Sequence, residues 1–241
     1  NASIAPTAIE LPVDSVSDFE RYEGMLTTFP QSLVISEYFN FDRFGEIVAA
    51  LPVDGEERAF TPTAVAEPGS DAQARADLNL RSRITIDDNN TSQNPATLVH
   101  PGNGAAFDLT NRFRGGDTVT GIQGILGFSF SLYRVFPTSY GTYAVANARP
   151  TSAPDVGGRL KVASFNTLNY FLTLDYPTGN ALDNKCGPLQ NMECRGADAD
   201  QPLEFTRQRD KLLAAIAGLD ADLVGLNELE NTTGVEPLAD I

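Results

Sequence analysis

A small β barrel followed by the opening of an α/β domain is the fold class this sequence predicts, and three observations predict it. From Met25 to about Ala148 the chain reads as short β segments broken by turn signals, with one helical stretch among them. After residue 160 two short apolar runs flank an amphipathic helical segment, the pattern of a β-α-β unit. Between these regions, residues 149–158 read RPTSAPDVGG, two prolines and a glycine pair at the strongest composition break in the chain. With 241 residues, two cores are affordable.

Residues 1–12 hold Pro6 and Pro12 among small and polar residues and read as a linker or an edge strand. Ser17–Tyr22 forms one capped helical turn, stopped by Gly24. The β segments expected next are Met25–Phe29, Leu33–Ser36, Glu46–Ala50, Arg83–Asp87, Thr118–Gly127, Ser131–Phe136 and Tyr143–Ala148. Phe29-Pro30, Asp54-Gly55, Gly115-Gly116 and Pro137 act as turn signals between them, and a helix is expected at about Ser70–Leu80. Several strands around one helix suit a closed or nearly closed barrel over residues 13–150, and the oligonucleotide-binding (OB) fold is one candidate.

An OB barrel holds single strands with aromatic platforms beside a basic groove. Tyr38, Phe39, Phe41, Arg43 and Phe44 supply that mixture in one stretch, and Phe128, Phe130, Tyr133, Arg134 and Phe136 in another. Arg43, Phe44 and Arg134 are therefore the candidate nucleic-acid contacts, although aromatics at alternating strand positions more commonly fill a core. Asp87-Asp88-Asn89-Asn90 is dense in oxygen ligands but lacks calcium-loop spacing, so a turn accounts for it better. His100 is the single histidine, in a Pro- and Gly-bounded loop with no partner nearby, and a structural or surface role suits it.

Residues 151–159 form the linker into the second region, residues 160–241. There Leu160–Phe165 is a strand candidate ending at Asn166. Phe205, Leu212, Leu213 and Ile216 share one helical face over about 203–218, and Gly218 ends the helix. Leu223–Leu226 is a continuous apolar run of the kind a strand buried on both faces shows, followed by Asn227-Glu228. A right-handed parallel crossover would set Asn166 and Glu228 side by side at the carboxyl ends of the two strands, where open α/β sheets bind ligands. An amide beside a carboxylate is hard-oxygen chemistry suited to Mg²⁺ or Ca²⁺. A solvated strand-end Glu would look the same in sequence.

Ser164-Phe165-Asn166-Thr167-Leu168-Asn169 followed by Asp222-Leu223-Val224-Gly225-Leu226-Asn227-Glu228 resembles the opening of the endonuclease/exonuclease/phosphatase superfamily, the deoxyribonuclease I-like fold. In that family the first strand ends in a metal-site Asn and the next in a Gln-Glu pair; this chain has Asn227 where Gln is commoner. Cys186-Gly187-Pro188, Cys194-Arg195-Gly196-Ala197 and Glu204–Arg209 narrow the resemblance to bacterial secreted nucleases of the ExeM/NucH type, which carry an OB-like module before the catalytic domain. Phe19–Met25, Phe41–Glu46 and Arg114–Val119 look like parts of that module.

The resemblance implies an extracellular, Mg²⁺-dependent (or Ca²⁺- or Mn²⁺-dependent) nuclease acting on DNA, with RNA also in range. Asn166 and Glu228 would be its metal-site groups. It also implies a general-base His and its Asp, and these lie beyond this sequence, since no histidine follows His100. The chain is accordingly expected to be the amino-terminal portion of such an enzyme, inactive alone and completed by the remainder as a docked chain. The other reading is a noncatalytic binding or structural module with an α/β remnant.

Thirty-two acidic against 17 basic residues give a net charge of −15, which disfavours broad docking on nucleic acid and requires any nuclease site to be local. Cys186 and Cys194 flank a short polar loop, and a disulfide between them would close a ring worth roughly 2.5 kcal/mol and imply an oxidising compartment. Two free thiols are the alternative. No apolar stretch approaches the length of a membrane span, and the first residue is Asn1 in place of Met, so any signal peptide is either removed or left out of this sequence.

Overall fold

Thr7–Ala8 (β1) begins the regular structure as an edge strand parallel to β2 (Leu26–Glu37). Between them Ser15 caps a 3-10 helix, Val16–Tyr22, in a reciprocal box with Asp18. A computed structural model describes residues 4–176, 185–201 and 203–241. The chain divides into two units, Asn1–Arg149 and Pro150–Ile241. The rest of the first unit is α1 (Phe41–Phe44), β3 (Ile47–Ala50), α2 (Pro62–Val65), α3 (Ser70–Arg81), β4 (Arg83–Ile86), β5 (Thr118–Ser129), β6 (Leu132–Ser139) and β7 (Thr142–Ala144).

Strands β2, β3, β4, β6 and β5 close on themselves, because β5 pairs with both β6 and β2. Every pairing in the ring is antiparallel except β4 with β6. Alternate side chains therefore point inward, and Phe29, Leu33, Ile35, Ile47, Ile84, Val119, Ile122, Leu126 and Val135 fill the barrel. Each such residue contributes about 1.5–3 kcal/mol of burial. Ile9 and Leu11 join this core, so the first unit begins well before residue 13. The closed five-stranded barrel fits the expected OB-like form.

Two turn signals read from sequence lie inside strands. Phe29-Pro30 was expected to separate two segments, yet β2 runs through it. Phe29 faces Ile122 and Ser32 faces Thr120, so Pro30 and Gln31 bulge opposite Gly121, and the missing proline N–H costs no ladder bond. The Gln31 side chain then bonds both the N–H and the C=O of Leu11, at 2.7 Å each. Pro137 likewise sits in β6 where its register with β5 shifts.

The second unit holds β8 (Val162–Tyr170), β9 (Lys185–Cys186), β10 (Met192–Glu193), α4 (Glu204–Leu219), β11 (Leu223–Leu229) and a closing 3-10 turn, Pro237–Ala239. β8 and β11 pair in parallel, from Leu223 with Val162 to Asn227 with Asn166, and α4 is the crossover between them. The expectation of a strand buried on both faces is not met: Leu223 is 57% exposed and Val162 69%. A two-stranded sheet with one helix among its described neighbours cannot cover both faces. Of the stretch between β8 and β9, residues 177–184 lie outside the described residues.

Candidate functional site

The parallel register places Asn166 beside Asn227, and just beyond that pair both strands leave regular geometry. One residue of β11, Glu228, spans the interval to the next pair, while three residues of β8 span it. Leu168, Asn169 and Glu228 take left-handed φ values of 54°, 62° and 60°. Such values cost a non-glycine residue of order 1 kcal/mol each, and strain concentrated in this way is a mark of functional backbone. Thr167, buried beneath, ties the bulge together through Oγ1, which donates to Asn227 O at 2.9 Å and Glu228 O at 3.1 Å.

Asn166 Nδ2 donates to Glu228 Oε1 at 2.7 Å, and Asn166 Oδ1 accepts from Leu168 N at 2.8 Å. The backbone N–H thus fixes which end of the amide faces the carboxylate. Both side chains are exposed. Among the described residues no group of three or more His, Cys, Asp or Glu could cage a metal. One oriented carboxylate and one amide nevertheless fit Mg²⁺, which keeps several waters and binds through one or two carboxylates plus substrate phosphate. Glu228 would hold the ion; Asn166, with its amide N–H on Oε1, would orient that carboxylate.

Glu230, two residues on, plays a different part. It is 3% exposed and accepts from Leu172 N, Thr173 N and Thr173 Oγ1 at 2.7–2.9 Å. Burial pushes its carboxyl up, but these bonds and one with Thr232 prevail and hold it below the ordinary glutamate value. Thr232 Oγ1 accepts from Gly187 N, so the end of β11 also anchors the cysteine loop. Sequence reading passed over Glu230, because two acids at i and i+2 look alike until the bulge turns Glu228 outward.

Cys186 and Cys194 form a disulfide and are both buried. Labelling under denaturing, non-reducing conditions should find no free thiol. The Cys186→Ser/Cys194→Ser chain should lose about 2.5 kcal/mol from the second unit's unfolding free energy in urea, the entropy of the short ring; an unchanged midpoint would show that the staple is redundant.

A cleft of about 660 Å³ adjoins the candidate site. Leu168 and Asn169 of the bulge line it together with Arg195, Asp198, Glu204, Arg207, Gln208 and Lys211. Gln208 Nε2 donates to Leu168 O and Asn169 O, both at 3.4 Å, seating α4 against the strained end of β8.

The barrel's candidates divide. Arg43 is exposed, its guanidinium 5.1 Å from the Phe44 ring centroid. Phe44, Phe130, Phe136 and Arg134 share a cleft of about 510 Å³ with Asn40, Glu46, Asp87 and Asn89. Arg134, expected as a nucleic-acid contact, is 3% exposed, and its Nη1 donates to Glu46 Oε2 at 2.7 Å and to Asp87. Its charge is neutralised inside the protein, so it is not a free anion receptor. Asp87 and Asp88 form Asx turns, accepting from Asn89 N and Asn90 N. His100 is fully buried, its Nδ1 accepting from Gly102 N and its ring edge-on to Phe113 and Tyr143; burial pushes its pKa down, a structural role.

Fold and site together define a two-unit protein, a closed five-stranded barrel followed by a β-α-β unit that brings an Asn and a Glu together where its two strands bulge. A family described as a domain of unknown function (DUF8508) matches residues 9–147, and the chain belongs to that family. No curated protein matches the chain, and no solved structure does. Among the described residues no helix is long and apolar enough to cross a membrane.

Proposed function

We propose that the β-α-β unit carries the metal-site strands of a secreted, divalent-metal phosphodiesterase that hydrolyses DNA or RNA, with the barrel as its OB-like module. The observation that carries this reading is the Asn166–Glu228 hydrogen bond across two parallel strands, on strained backbone where their regular pairing breaks at a bulge. A bound Mg²⁺ would supply Lewis-acid stabilisation of charge on a phosphate oxygen. Glu228 presents its carboxylate, Asn166 orients it, and Thr167 fixes the backbone on which it stands. His100 is buried in the first unit and is not offered as a general base. The disulfide is compatible with secretion.

One observation favours a binding role for the barrel alone. Phe130 is 83% exposed at the tip of the β5–β6 hairpin, where it and Ser131 both take left-handed φ, 50° and 61°, in a turn that prefers Asn-Gly. An apolar side chain held out on strained backbone beside a cleft suits a ligand platform. DNA cleavage by the full-length protein separates the readings. It should require Mg²⁺ and stop with EDTA; cleavage that survives EDTA, or none in Mg²⁺, would remove the phosphodiesterase and leave the module.

A further inference from the structure

The cleft beside the candidate site gathers cations in a chain whose excess charge is negative. Arg207 and Lys211 stand four residues apart on α4 and so project from one face, and Arg195 reaches the same cleft from the residue after Cys194. All three are exposed, and among the described residues none makes an ion pair. Elsewhere in this unit Lys161 is held by Asp220 and Arg209 by Asp240. Two carboxylates share the cleft, Asp198 and Glu204, and Glu204 Oε2 already accepts from Asp198 N at 2.8 Å. The barrel cleft, with Arg134 cancelled between Glu46 and Asp87, is the poorer place for a phosphate.

Position joins the cations to the chemistry. The cleft is walled by Leu168 and Asn169, and Leu168 N is the donor that fixes the Asn166 amide. Gln208, between Arg207 and Lys211, holds α4 to that bulge. Arg195 is held on the other side by the disulfide, and Gly196 packs against Thr173 O where a Cβ would collide.

We propose that this cleft is a backbone subsite for a polynucleotide, with Arg195, Arg207 and Lys211 receiving phosphates that flank the one at Glu228. The proposal rests on the phosphodiesterase reading and assigns the residues that hold the nucleotides flanking the bond to be cut. A single-phosphate substrate would have nothing to place there.

The test is fluorescence anisotropy of a fluorescein-labelled 12-mer duplex on the full-length protein in Ca²⁺, from 50 to 300 mM salt, with cleavage of the same duplex followed in Mg²⁺. Arg207→Gln/Lys211→Gln should raise Kd at least about tenfold and flatten the slope of log K on log salt by about two; Arg195→Gln alone should flatten it by about one. Lys161→Gln removes one charge away from the cleft and should leave Kd within twofold, which separates local contact from global charge. In cleavage, KM should rise in step with Kd. If the wild type binds and the variants lose binding but nothing is cleaved, the subsite stands and the phosphodiesterase reading falls. Cleavage or binding indifferent to the substitutions, an equal loss in Lys161→Gln, or no binding by the wild type would each overturn the subsite. Arg195, Arg207 and Lys211 are exposed and Lys161 is half-buried, and far-UV circular dichroism checks that the variants fold.

Discussion

Glu228→Gln in the full-length protein is expected to lower Mg²⁺-supported kcat on DNA by about 10²–10³ while leaving the melting curve in place. The carboxylate is exposed and its partners are few, so the fold has little to lose: Asn166 Nδ2 still meets an oxygen or rotates to water. The chemistry has much to lose, since a neutral amide gives the ion no charge, and several kcal/mol of Lewis-acid stabilisation at about 1.4 kcal/mol per decade is that loss in rate. Asn166→Ala should cost less, about 10–100-fold, because removing the donor on Oε1 frees the carboxylate to rotate without removing it. The two variants should also differ in their response to metal: raising Mg²⁺ should partly rescue Asn166→Ala and not Glu228→Gln. A Glu228→Gln enzyme within a few-fold of wild type would end the metal-site reading. Equal losses in both would make the pair a structural clasp.

The pairing at the heart of that expectation was legible because it depends on few and local rules. A helical period between two apolar runs implies a parallel crossover, and a polar residue closing each run then falls at the same edge. What was not legible depends on contacts far apart in sequence or on backbone that departs from regular form. Nothing in the run Asn166–Asn169 announces two left-handed residues, so the bulge that turns Glu228 out and leaves Glu230 inside was invisible. Arg134 sits in an aromatic stretch and looked like a nucleic-acid contact, but its carboxylates lie 88 and 47 residues away. Pro30 and Pro137 mark turns by local rule, and the barrel's closure overrode that rule by placing both at register shifts. In the second unit the apolar run correctly gave a strand, but burial is a property of neighbours, and the described ones cover one face at most.

The largest loss of stability should come from Asp117, which the sequence reading met only as part of the Arg114–Val119 segment. It is 1% exposed, immediately before β5, and its two oxygens accept four bonds: from Arg114 N at 2.8 Å, Tyr143 Oη at 2.6 Å, and Ala146 N and Asn147 N at 3.0 Å each. One carboxylate thus clasps the turn entering β5, the β7 strand and the chain leaving it. Burial pushes its pKa up, but the four donors together outweigh that and hold the carboxyl below its ordinary 3.8. Asp117→Ala would strand three backbone N–H groups and a phenol, and should lower the barrel's unfolding free energy by about 3–5 kcal/mol in urea titrations at pH 7. Acid supplies a second reading of the same group. Because the folded pKa is depressed, its stabilisation is complete above the unfolded value near 3.9 and drains away as pH falls through the lower folded value. Asp117→Asn keeps one acceptor and cannot titrate, so it should be less stable than wild type at pH 7 by less than the Ala variant, and the gap should close below pH 3.8. An Ala variant within about 1 kcal/mol of wild type, or an Asn gap that persists undiminished into acid, would show that the clasp is replaceable.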